Sequence, residues 1–133
     1  MSIRVFVVDD EPKVQSSLAE LLASLGDFHV AGTARSEAEA NLWLDEHAGE
    51  WDFAIVDLLL SEGAGLSVVA RSRLHSRRGK IVVFSGYGNT GVDRRCKELG
   101  ADAIIDKARL PALIDFCRTL ACEAPATARR RAN

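Results

Sequence analysis

Hydrophobic positions along this chain switch repeatedly between two periods. Ile3-Arg4-Val5-Phe6-Val7-Val8 is nearly continuous in apolar, β-branched residues, as a strand covered on both faces is. Val14, Leu18, Leu21, Leu22 and Leu25 then recur at spacings of three and four, the stripe of an amphipathic helix. Pro12 suits its first turn, Asp10 or its neighbour the N-cap, and Gly26 its stop. Residues 28–31 predict a short second strand. Ser36 and Glu39 have capping-box spacing ahead of a helix that turns Ala40, Trp43 and Leu44 inward. Residues 53–56 predict strand three, and Leu66, Val69, Ala70 and Leu74 the stripe of the helix after it. Residues 81–84 predict strand four, residues 85–91 are loop by composition, and a helix through Val92, Cys96 and Leu99 stops at Gly100. Residues 103–105 predict the fifth strand. Residues 110–121 predict the fifth helix, with Leu113, Ile114, Cys117 and Leu120 facing the sheet. This alternation predicts one α/β domain, a five-stranded parallel sheet with helices on both sides.

The bulk numbers narrow the classes of function. A chain of 133 residues with 47% apolar content supports a single domain with a real core. A net charge of −2 gives no whole-chain case for binding nucleic acid or a membrane surface. No apolar stretch is long enough to span a bilayer, and Arg4 with the Asp9-Asp10 pair breaks the first run too early for a secretion signal. Cys96, Cys117 and Cys122 match no metal or redox spacing and read as reduced small hydrophobes in a cytoplasmic protein.

The polar groups that end the apolar runs carry the candidate chemistry. Asp9-Asp10 follow the first run, Asp57 the third, Ser85 the fourth, and Lys107 lies just past the fifth. In a parallel α/β sheet the C-terminal strand edge is where ligands bind. Where the first strand frays into its helix, both Asp9 and Asp10 can reach one ion. With Asp57 they would offer Mg²⁺ two or three carboxylates and leave room for water and a phosphoryl oxygen. Three like charges are costly unless a cation offsets them, and Lys107 can set an ammonium beside Asp57. Ser85 supplies a hydroxyl donor. Asp57 is the candidate nucleophile, with metal and Lys107 screening charge on the transferring group. Taken singly, Asp9 or Asp10 is an ordinary helix cap, Asp57 a turn residue, Ser85 a strand-end hydroxyl and Lys107 a surface lysine. Their joint arrival at one edge points to phosphoryl transfer.

That set resembles the receiver domain of two-component response regulators over about residues 3–121. The acidic pair lies in Val-Val-Asp-Asp-Glu-Pro, the phosphoacceptor position is Asp57 in Ile-Val-Asp-Leu-Leu-Leu, the strand-four hydroxyl is Ser85, the lysine is Lys107, and the downstream glycine is Gly65. The resemblance implies a flavodoxin-like (βα)5 three-layer sandwich with sheet order 2-1-3-4-5. It implies Mg²⁺, with Mn²⁺ as a substitute, ligated by Asp10, Asp57 and the backbone carbonyl of Leu59, while Asp9 acts largely through metal-bound water. It also implies a phosphohistidine donor on a sensor histidine kinase or phosphotransfer protein, with Mg²⁺-dependent self-phosphorylation and self-dephosphorylation rather than metabolic turnover. Leu59 and Tyr87 hold the positions that in the family flank the hydrolytic water, and a branched apolar chain with an aromatic ring there predicts slow loss of the phosphoryl group. Three positions depart from the family pattern: Leu60-Ser61 replaces Met-Pro, Lys107-Ala108 replaces Lys-Pro, and Ile104 replaces a switching aromatic ring. A non-proline cis bond costs about 2.5–4 kcal/mol, so Lys107-Ala108 is expected to be trans.

The expected organisation is a receiver domain over residues 1–122 and a flexible tail over residues 123–133, where apolar periodicity ends and Arg129-Arg130-Arg131 reads as solvated chain. The output partner is open. A single-domain regulator and the N-terminal module of a longer protein fit the residues equally, without direct nucleic-acid binding by this domain. Arg94, Arg95, Lys97 and Arg109 mark a basic candidate output face. The main alternative is an interaction module of the same fold that does not turn over phosphate. A haloacid-dehalogenase-like phosphatase would need two aspartates two positions apart, a spacing the adjacent Asp9-Asp10 pair lacks.

Overall fold

A computed structural model describes residues 2–86 and 89–132, with side chains as far as residue 123. Among the described residues, five strands and five helices alternate. They are β1 (Ile3–Val8), α1 (Pro12–Ser24), β2 (Phe28–Ala34), α2 (Glu37–Glu46), β3 (Phe53–Val56), α3 (Gly65–His75), β4 (Lys80–Ser85), α4 (Thr90–Leu99), β5 (Ala103–Asp106) and α5 (Leu110–Ala132). All strand pairs are parallel and the sheet order is β2-β1-β3-β4-β5, the flavodoxin-like topology.

Strand alternation divides the core into two layers. Phe6, Val8, Ala54, Val56, Ile81 and Val83 point to one face, under Ala40 and Leu44 of α2, Val68 and Val69 of α3, and Cys96 of α4. Val5, Val7, Phe53, Ile55, Val82 and Phe84 point to the other, under Leu18 and Leu22 of α1 and Leu113 and Cys117 of α5. Each central strand is therefore apolar in both registers, which is why its sequence reads as a continuous run rather than an alternation.

Several boundaries differ from the expected ones. β2 continues to Ala34 because its register with β1 shifts between Val5 and Phe6, leaving Ala31 unmatched and Gly32 opposite Phe6. Trp43 lies flat against that glycine, stacked on Phe6 with ring centroids 4.1 Å apart, and a Cβ on Gly32 would meet the indole nitrogen. On α3 the inward stripe is Gly65, Val68, Val69 and Ser72, whereas Leu74 is 85% exposed. Ser72 is tolerated inside because its hydroxyl donates to the Val68 carbonyl, 2.7 Å away. On α5, Phe116 rather than Ile114 joins Leu113 and Cys117 against the sheet. That helix runs on to Ala132, past the expected end at residue 121.

Capping follows the sequence more closely. Ser36 accepts from the Glu39 N–H at 3.1 Å and Asn89 from the Val92 N–H at 3.0 Å. The α4 helix ends at Gly100, whose φ of 116° requires glycine. Glu11 occupies the α1 N-cap position without a side-chain cap, and Pro12 opens the helix. All described peptide bonds are trans, Lys107–Ala108 among them. No helix among the described residues is long and apolar enough to cross a membrane.

Candidate functional site

The acidic residues converge where β1 and β3 end side by side. Val8 pairs with Val56, and the Asp57 N–H donates to the Val8 carbonyl at 2.9 Å, so Asp9 and Asp57 leave neighbouring strands at the same level. Carboxylate oxygens of Asp9, Asp10 and Asp57 all lie within 4.8 Å of one another. Asp9 is 2% exposed and Asp57 6%, while Asp10 is half-buried.

Lys107 reaches this cluster from the far edge of the sheet. Ser85 pairs with Asp106 in the β4–β5 ladder, and the Lys107 N–H donates to the Ser85 carbonyl at 3.2 Å. From there the Lys107 Nζ lies 2.8 Å from Asp9 Oδ2 and 2.9 Å from Asp57 Oδ2. Burial alone would lower the lysine pKa, but hydrogen bonds to the two carboxylates outweigh it and hold the ammonium above its ordinary value. The Asp9 carboxyl is pushed up by burial, against the pull of Lys107 and of the Glu11 N–H, which donates to Asp9 Oδ1 at 3.0 Å. Ser85 itself is 5% exposed at the end of β4.

The loop after β3 is fixed by close backbone approach. Gly65 begins α3 and donates its N–H to the Leu58 carbonyl at 3.1 Å; a Cβ there would lie 2.0 Å from the Asp57 carbonyl oxygen. Leu59 pairs antiparallel with Ala64 and donates its N–H to Asp57 Oδ1 at 3.3 Å, while its side chain is 57% exposed. Glu37 at the start of α2 accepts from the Ala64 N–H at 2.9 Å, a brace that nothing in the sequence announces. Tyr87 lies outside the described residues.

Three carboxylates against one ammonium leave an excess of negative charge in a largely buried pocket. Oxygen-only donors at this separation suit a hard divalent cation, and the fit is to the metal class rather than to one ion.

With this geometry in place, the comparisons decide the family. Residues 5–115 match the response regulator receiver domain. The chain belongs to that family. It is 33% identical over 91 residues to the two-component response regulator PprB of Pseudomonas aeruginosa, an alignment covering 68% of this chain and 31% of PprB. The chain spans about a quarter to a third of the length of the curated relatives it matches. Among solved structures, it resembles a response regulator protein from Burkholderia pseudomallei with a phosphorylated aspartic acid, calcium ion and citrate. That likeness has a TM-score of 0.76 and 26% identity, covering 95% of this chain and 72% of the other. It also resembles a chain in the complex of the P1 domain of CheA3 with CheY6 from R. sphaeroides, with a TM-score of 0.73 and 26% identity, covering 92% and 99% of the two chains.

Proposed function

We propose that this receiver domain is a phosphorylation-controlled switch in which Asp57 takes a phosphoryl group from a phosphohistidine of a sensor kinase or phosphotransfer protein. The observation that carries the reading is the Lys107 ammonium held between the Asp9 and Asp57 carboxylates beside a third carboxylate. A simple surface ion pair needs none of that burial or convergence.

Asp57 supplies the attacking oxygen. The N–P bond to the donor imidazole breaks as an O–P bond to the carboxylate forms, and the imidazole takes up a proton as it leaves. Asp9, Asp10, Asp57 and the Leu59 carbonyl are the groups that would hold Mg²⁺. When bound there, such an ion would supply positive charge against the transferring oxygens. Lys107, kept charged by its two partners, can follow the negative charge onto the new phosphoryl group. Ser85 at the end of β4 is the hydroxyl that would donate to another of its oxygens.

The product carries about two negative charges beside two remaining carboxylates, so Lys107 and Ser85 are drawn towards Asp57. That motion enters the backbone at β4 and β5, whose ends the Lys107–Ser85 hydrogen bond joins. A protein partner that reads this surface completes a cytoplasmic relay. Intact-mass analysis after incubation with acetyl phosphate and Mg²⁺ tests the reading. One added phosphoryl group is expected on the parent and none on Asp57→Asn. Equal labelling of both would remove Asp57 from the role.

A further inference from the structure

Gln15 makes contacts that neither its helix nor the core requires. It is half-buried on the first turn of α1, and its Nε2 donates to the Asp9 carbonyl at 2.7 Å and to the Ala34 carbonyl at 3.1 Å. The two acceptors end the adjacent strands β1 and β2. Ala34 also accepts the Asp9 N–H at 3.0 Å, so one side-chain amide closes the gap where the β1–β2 ladder stops.

Asp9 is thereby held at each polar atom. Its N–H is on Ala34, its Oδ1 on the Glu11 N–H, its Oδ2 on Lys107 and its carbonyl on Gln15. The last bond matters most for the site. The Asp9 carbonyl belongs to the peptide that joins Asp9 to Asp10, and fixing that oxygen fixes the peptide plane from which the Asp10 carboxylate is launched. Asp10 sits between strand and helix, where no ladder or helical hydrogen bond sets this plane.

We propose that Gln15 is a positioning residue for the cation site, gripping the Asp9–Asp10 peptide so that the Asp10 carboxylate meets those of Asp9 and Asp57. This rests on the reading of that cluster as the metal site of the phosphorylation centre. Groups that orient metal ligands without touching the ion typically change affinity by about 10- to 100-fold when removed. Gln15 acts on one carboxylate of the three, so the lower end applies.

Gln15→Met keeps the length of the side chain and removes the donor. Mn²⁺ binding followed by electron paramagnetic resonance should show a dissociation constant raised about tenfold. With acetyl phosphate as donor, the Mg²⁺ concentration for half-maximal labelling should rise by the same factor while the plateau rate at saturating Mg²⁺ is retained. A general loosening of the fold would not produce that split. A dissociation constant within about twofold of the parent's overturns the proposal. Should the variant fail to fold, the parent decides. The Gln15 side-chain amide resonances should shift during Mg²⁺ titration with the same midpoint as the Asp10 and Glu11 backbone amides, and an unmoved Gln15 amide overturns the role. A parent that binds Mn²⁺, with the variant about tenfold weaker, but accepts no phosphoryl group would overturn the phosphoacceptor reading and leave the positioning role standing. A parent that binds no Mn²⁺ overturns both.

Discussion

Cys117 shows how strongly position alone sets the chemistry of a side chain. Its thiol lies within the layer beneath α5, and burial pushes its pKa up to about 11. The unfolded thiol ionises from about pH 9, so above that point the unfolded state sheds a proton that the folded state keeps. Stability contributed by this group is complete below about pH 9 and is lost as pH rises towards about 11. The loss, on the order of 2–3 kcal/mol, should be absent from Cys117→Val, and urea unfolding of both proteins across that range measures the difference. Thiol titration at pH 8 separates the cysteines: the exposed Cys122 should react in the native protein, and buried Cys96 and Cys117 only after unfolding. The sequence shows three cysteines without a motif, and it cannot rank their burial.

At the scale of elements, the joints carry more of the architecture than the apolar stripes suggest. Arg73 on α3 donates to the carbonyls of Ser76, Arg77, Gly79 and Gly100 and to Asp102, stapling the end of α3 to the start of β4 and to the α4–β5 turn. Arg73→Ala should cost about 2–3 kcal/mol in urea unfolding, because several carbonyls lose a charged donor together. Arg73→Lys should recover less than half, since an ammonium lacks the planar fork that serves them at once. Gly65→Ala tests the joint beneath the site. Its Cβ would collide with the Asp57 carbonyl, so the α3 start or the end of β3 must move. A destabilisation of about 1–3 kcal/mol is expected, together with slower labelling by acetyl phosphate. Unchanged labelling would mean that Asp57 tolerates the shift. Gly65 was legible through the family pattern, whereas Arg73 was not. A lone arginine at the end of a helix has the same signature whether it serves four backbone carbonyls or only meets solvent.

Across the whole molecule, the proposed function predicts that a change at Asp57 travels through β4 and β5 to the face formed by α4, β5 and α5. Arg94, Arg95, Lys97 and Arg109 are exposed there, and Ile104 is partly buried against the core beneath. Amide shifts compared between the free protein and its Mg²⁺–beryllofluoride complex should extend through residues 92–113. Shifts confined to the surroundings of Asp57 would exclude this face as the output. The strand order came through the family pattern, while the two-sided core and the convergence of Asp9, Asp10, Asp57, Ser85 and Lys107 on one edge were readable from the chain itself. They depend on hydrophobic period, β-branching and polar groups at strand ends, which are local properties, and on parallel α/β geometry, which permits few arrangements. The helix faces at Leu74 and Phe116, the shifted β1–β2 register under Trp43, and the grips of Gln15, Glu37 and Arg73 were decided by tertiary structure. The Trp43 stack and the three grips join separate segments of the chain through long polar or aromatic side chains whose reach allows many partners, and only the packed molecule selects one.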